Sequence, residues 1–168
     1  MTTMETLLDR IQIEDLLYNY YALLGRQGEH FDDYYVENGV LDVNGTIFEG
    51  RGAILTAYKP ESGAMPITGK FHMLLSNPRI AVKGETAVAD AIWTGIISDH
   101  IKALPRFVEQ GREHDELVKQ NGRWLFKRRV ITSDSGLPAA FEKNYRPRWR
   151  DAARARAACD NDNQSIDG

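Results

Sequence analysis

Lys70 to Ser133 reads KFHMLLSNPRIAVKGETAVADAIWTGIISDHIKALPRFVEQGREHDELVKQNGRWLFKRRVITS. Apolar and polar residues alternate along it in long runs rich in Val, Ile, Phe and Trp, the pattern of half-buried strands. Lys83-Gly84, a stretch containing Pro105, and Asn121-Gly122 punctuate the runs. The spacing therefore predicts four long antiparallel strands over 70–82, 86–98, 107–119 and 123–133, each following directly on the last. Such a sheet, strongly curved, has one face to bury and needs a second layer to bury it.

The N-terminal segment supplies that layer. Ile13, Leu16, Leu17, Tyr20, Tyr21, Leu23 and Leu24 recur at steps of three and four, with Asp9, Arg10, Glu14, Asp15 and Asn19 on the other side. This is the period of an amphipathic helix lying across the core with its tyrosines buried. Thr3 or Thr6 can cap its start, and Gly25 and Gly28 end it before a shorter helical piece at His30 to Tyr35. Val40, Leu41 and Val43, then Asn44-Gly45, then Thr46 to Phe48 read as a small hairpin. Gly52 to Tyr58 is a short helix stopped by Pro60, and Glu61 to Gly69 is a loop placed to cover a pocket. The expected architecture is α+β: a mostly antiparallel sheet closed by the N-terminal helices around a hydrophobic hollow, the natural ligand site.

Composition narrows the class. Twenty-one Lys and Arg against 24 Asp and Glu leave a charge of -3 over 168 residues, with no general pull toward nucleic acid or anionic membrane. The apolar share of 42% and charged share of 27% are those of a globular protein, not a disordered one. No apolar run approaches the length of a membrane span, and MTTMETLLDR carries acids where a signal peptide carries an apolar stretch, so a cytoplasmic protein is expected. The only cysteine, Cys159, rules out intrachain disulfides. Residues 1–144 are expected to form one domain. Residues 145–168 form a segment with Arg146, Arg148, Arg150, Arg154 and Arg156, then a polar tail expected to be disordered.

The runs IQIEDLLYNYYALLGR, GVLDVNG, EGRGAI, KFHMLLSNPRIAVKGETAVADAIW and GREHDELVKQNGRWLFKRRVI, in that order, resemble the SnoaL-like and scytalone-dehydratase-like branch of the nuclear-transport-factor-like cone fold. The resemblance covers about residues 6 to 134 and implies a cone-shaped sheet around a hydrophobic cavity. It also implies cofactor-free proton transfer on flat hydrophobic ring compounds, often by a helix Asp beside a strand His with Tyr hydroxyls holding a substrate oxygen. It further implies a homo-oligomer, a dimer or trimer. Carried onto this chain, the helix Asp falls at Gly25, counting five residues from Tyr20. The strand His falls at His72, or at Met73 when the comparison is anchored on Asn77.

The candidate residues follow. His72, between Phe71 and Met73, is a base if it points inward and a surface residue if it does not. Tyr20 and Tyr21 offer phenols on the buried side of the helix, to a substrate oxygen or to the core. His114 is a possible second imidazole; alternation puts it with Arg112 and Glu116, and sets Glu113, Asp115 and Leu117 on the other face. Asp42 and Asp90 are acids within apolar runs, with Asp42 the replacement for the missing helix Asp. Trp93 can wall a flat substrate, and an inward Arg129 can hold a carboxylate or phenolate. No pair of histidines has ligand spacing and no phosphate-binding glycine loop occurs, so neither metal nor cofactor is expected. Two functions fit: a cofactor-independent lyase or isomerase with His72, Tyr20, His114 and Asp42 catalytic and Tyr21, Trp93 and Arg129 binding substrate, or a non-catalytic module that binds a hydrophobic ligand or oligomerises.

Overall fold

The computed structural model describes residues 3–23, 30–57 and 70–146. Gly25, Gly28, the loop from Glu61 to Gly69 and the arginine-rich segment beyond Arg146 lie outside them. Helix α1 (Met4–Leu23) opens with Thr3, whose hydroxyl accepts the Thr6 amide at 3.1 Å and satisfies one of the orphan donors of the first turn. A short 3-10 helix, Phe31–Tyr34, leads into β1 (Tyr35–Val43), β2 (Thr46–Glu49) and α2 (Arg51–Ala57). The long strands are β3 (Lys70–Lys83), β4 (Thr86–Ser98), β5 (Arg106–Gln120) and β6 (Arg123–Ser135).

The six strands form one sheet in the order β2-β1-β6-β5-β4-β3. Every pairing is antiparallel except that of β1 with β6, which is parallel. The sheet stays open, with β2 and β3 as its edges. Asn44-Gly45 and Asn121-Gly122 form two-residue hairpin turns, all four residues having positive φ, as the twist of such a turn requires. Asn38-Gly39, which marks the start of the hairpin in sequence, lies instead within β1. There the register with β6 shifts between Tyr35 and Val40, and a Cβ on Gly39 would sit 2.9 Å from Tyr35 Cβ. Glycine makes that irregularity possible, and Tyr35 can then pair with Phe126.

The core lies between α1 and one face of the sheet. Ile13, Leu17 and Tyr20 are fully buried there, against Leu41, Leu117 and Phe126. A bulge between Ser76 and Arg79, with Asn77 at φ 53, resets the alternation of β3. Before it Phe71, Met73 and Leu75 are the half-buried residues; after it Ile80 and Val82 are.

Candidate functional site

The inner face of β5 carries Gly111, Glu113, Asp115 and Leu117, all buried. Two acids on a core-facing side are costly unless paired. Their partner is Arg129, which stands opposite Asp115 in the register of β6 and has no solvent exposure. Its Nη2 donates to Glu113 Oε2 and its Nε lies 3.5 Å from Asp115 Oδ1. Tyr21, from α1, donates its hydroxyl to the same Glu113 oxygen. The guanidinium is also sandwiched by rings, 4.2 Å from the centroid of Tyr20, 4.6 Å from Phe126 and 4.9 Å from Tyr21.

The electrostatics follow from this packing. Burial drives the Asp115 carboxyl well above its ordinary value, against the pull of Arg129 and with a further push from Glu113 and Asp90. Burial alone would pull Arg129 down, but Asp115 and Glu113 more than reverse it and hold the guanidinium well above its usual value. Arg129 is thus a permanent cation serving two acids.

Apart from Arg129 Nε and Asp115 Oδ1, which face each other at 3.5 Å, four buried polar atoms of this cluster have no hydrogen-bond partner among the described residues: Glu113 Oε1, Asp115 Oδ2, Arg129 Nη1 and Trp93 Nε1. Trp93 belongs to β4, one residue pair along from Ala91, which faces Glu113. A Cβ on Gly111 would meet Trp93 Cε2 at 2.7 Å, so this glycine is what lets the indole lie over β5. The inner face therefore carries two unpartnered carboxyl oxygens, two N–H donors and a flat wall, next to Met73 and Leu75 of β3.

The residues singled out in the sequence divide by face. Tyr21, Trp93 and Arg129 come together inside. Tyr20 is fully buried at the centre of an aromatic cluster, its hydroxyl 3.3 Å from that of Tyr35. His72 does not join them: it is exposed on the opposite face, because Phe71, Met73 and Leu75 claim the core side of β3. Met73 holds the inward place. His114 is also on the outer face, half-exposed and 2.7 Å from Asp90, in a groove of about 470 Å³ with Arg79, Arg112 and Thr132. Asp42 points outward too, pairing with Arg128 at 3.1 Å and accepting the Gly45 amide at 2.9 Å, a turn-forming role that leaves it no part in the interior.

Sequence reasoning passed over Glu113, Asp115 and Glu109. The signal was present, since alternation already set Glu113 and Asp115 apart from His114. The histidine drew attention to the wrong face. Among the described residues no group of three or more His, Cys, Asp or Glu is arranged to hold a metal ion, and no helix is long and apolar enough to cross a membrane.

Comparison with known proteins places the fold. A protein of unknown function with a cystatin-like fold from Nostoc punctiforme is similar at 19% identity and TM-score 0.68, over 78% of this chain and 95% of that one. A protein from Novosphingobium aromaticivorans, named as a candidate scytalone dehydratase, is similar at 20% identity and TM-score 0.64, over 77% and 86%. An NTF2-like protein with a cystatin-like fold from the same organism gives 20% and 0.62, over 83% and 96%. At these identities the likeness is one of fold. No curated protein matches the sequence. The family model of the SnoaL-like domain matches residues 5–130, and the chain belongs to that family.

Proposed function

We propose that the protein is a cofactor-independent lyase or isomerase that moves a proton on a small hydrophobic, aromatic or polycyclic, substrate at the inner face of the sheet. The observation that carries this reading is Glu113. One of its carboxylate oxygens is fixed by Tyr21 and Arg129, and the other, Oε1, is buried without a partner among the described residues. A carboxylate held in this way by Tyr21 and Arg129 has its second oxygen oriented to accept a proton from a substrate carbon. Charge developing on a substrate oxygen needs a donor, and Trp93 Nε1 and Arg129 Nη1 are both available. Glu113 thus takes the part that sequence comparison gave to His72 and Gly25. The open outer face of the sheet, with Leu74 and Val88 exposed, would serve contacts between copies in a homo-oligomer.

The test is hydrogen exchange at carbon. A bicyclic aryl ketone incubated with the protein in deuterated water is expected to take up deuterium beside its carbonyl, followed by mass spectrometry. Glu113→Gln should slow this by about 100-fold or more, the usual worth of a positioned base. Exchange that Glu113→Gln leaves unchanged would sink the reading. The second reading, a binding module without chemistry, is favoured by one observation: Arg129 balances its acids entirely within the protein, as a purely structural cluster also would. Ketone binding without any exchange would establish it.

A further inference from the structure

The hairpin of β4 and β5 ends in residues 99–105, DHIKALP, and its tip is apolar where a surface loop is ordinarily polar. Ile101 is 99% exposed and Leu104 is 90% exposed, and Phe107, at the start of β5, is 77% exposed. The tip is nonetheless a built structure. The Ala103 amide donates to the His100 carbonyl at 2.9 Å and the Lys102 amide to His100 Nδ1 at 3.3 Å, which closes a turn around Ile101. Across the neck Arg106 Nη2 donates to Asp99 Oδ1 at 3.3 Å. Pro105 fixes its own φ and restricts that of Leu104. Three large apolar side chains are thus held out from the surface within seven residues of chain.

Charge around this knob is uneven. Lys102 lies between Ile101 and Leu104, and Lys70, where β3 begins, stands opposite Ser98 at the root of the hairpin. Arg106 adds a third cation at the neck. The acids are Asp99, already held by Arg106, and Glu109. Glu109 is turned inward, where a Cβ on Gly95 would stand 2.7 Å from its Cγ, and burial raises its carboxyl to about 7. At neutrality it carries only part of a charge. The overall charge of -3 is therefore no guide to this end of the molecule.

A knob bare on every side is not covered by a flat protein surface, which touches one side of it. It is covered by a medium that closes around it. The interface of a bilayer does so without a matching shape, and its phosphates then lie at the level of the cations. Ile101 is three residues beyond Ser98, so the tip stands at most about 10 Å above the end of β4. Interfacial segments bury their apolar side to about that depth, roughly 5–10 Å.

We infer that the β4–β5 tip docks the protein reversibly on an anionic membrane, with Ile101 and Leu104 entering the interface, Phe107 behind them, and Lys70, Lys102 and Arg106 meeting lipid phosphates. Such contact is peripheral and needs no spanning helix. It is independent of the reading of Glu113.

The experiment pellets the full chain with vesicles of phosphatidylcholine alone, and of phosphatidylcholine with about one-third phosphatidylserine. Binding is expected on the anionic vesicles, falling with added salt, and weaker by about tenfold or more on the neutral ones, since each cation near such a surface is worth about fivefold. Ile101→Asp with Leu104→Asp should weaken binding by about tenfold or more and leave the circular dichroism and melting temperature unchanged, because both side chains are exposed. Lys102→Glu should weaken it by about tenfold on the anionic vesicles alone. A polarity-sensitive dye on Ile101→Cys, in a Cys159→Ser background, should shift to shorter wavelength on vesicles and not with free phosphoserine. No pelleting with either vesicle would overturn the inference. So would pelleting that the double variant leaves unchanged, which would assign it to another basic stretch such as Arg146 to Arg156. Loss of self-association in the double variant would overturn it too, by making the tip a contact between copies.

Discussion

Arg129 carries more of this structure than any other residue. Two acids depend on it, and both are buried with it, so removing the cation alone strands their carboxyl groups in the core without a partner. Arg129→Met should cost about 3–5 kcal/mol in a urea unfolding curve, and adding Glu113→Gln and Asp115→Asn should recover most of that loss. Glu109 makes the opposite prediction. Its folded value of about 7 lies above the ordinary 4.5, so the unfolded chain gives up this proton first. Stability is full below the ordinary value and is lost as pH rises through about 7. Glu109→Gln should therefore stabilise the protein by about 1–3 kcal/mol at about pH 8, with no difference at about pH 4, read by thermal unfolding at the two values. Both residues show where sequence reading stops. Alternation sorted β5 into two sides, but which side faced the helix was decided by Arg129 across the sheet and by apolar Phe71, Met73 and Leu75 on β3. The strand carrying His72 obeyed the same rule, and its histidine went out with the polar side.

The elements themselves were far more legible. Four strands, the Asn-Gly hairpin, the first helix and the short α2 all lie where periodicity and turn chemistry put them, with ends displaced by a few residues. The exceptions have local causes. β1 begins at Tyr35 because Gly39 permits an irregular register, and the helical piece before it is only Phe31–Tyr34. What letters could not show is how α1 is fastened. Asp9, one turn before Ile13, accepts Lys119 Nζ at 2.7 Å and Trp124 Nε1 at 3.1 Å, tying the helix to the turn between β5 and β6. The Lys119 hydrogen bond, followed by that of Trp124, holds the Asp9 carboxyl below its ordinary value despite its burial. A depressed carboxylate contributes stability above its unfolded value and loses it as pH falls through the folded one. Asp9→Asn should accordingly lower the melting temperature near neutrality, with the gap to the unaltered protein closing in acid, as circular dichroism of the helix would report.

At the scale of the molecule, α1 covers one face of the sheet, and among the described residues no helix covers the other. Leu74, Val88 and Phe107 remain exposed elsewhere on it, as do Met4, Leu7, Leu8 and Ile11 on α1. A homo-oligomer of this chain would cover part of that surface. Sedimentation velocity is expected to show a dimer or trimer, and Leu74→Asp with Val88→Asp should shift it to monomer without loss of helix signal. A monomeric unaltered protein would refute this. The pairing of β1 with β6 has a different outcome, one that concerns synthesis. Asn44 holds Ser133, Tyr21 holds Glu113 and Asp9 holds Trp124, contacts 89, 92 and 115 residues apart. The first third of the chain thus leaves the ribosome before the strand that pairs with β1 and the side chains that fasten α1 exist, and loop closure over such distances is slow. During translation the β1–β2 hairpin must wait for its place in the sheet until β6 emerges, whereas α1 already has β3 to pack on. A ribosome stalled before Arg123 therefore carries the β1–β2 hairpin and the β3–β4–β5 sheet without the strand that joins them, two unpaired edges of the kind that chaperones cover.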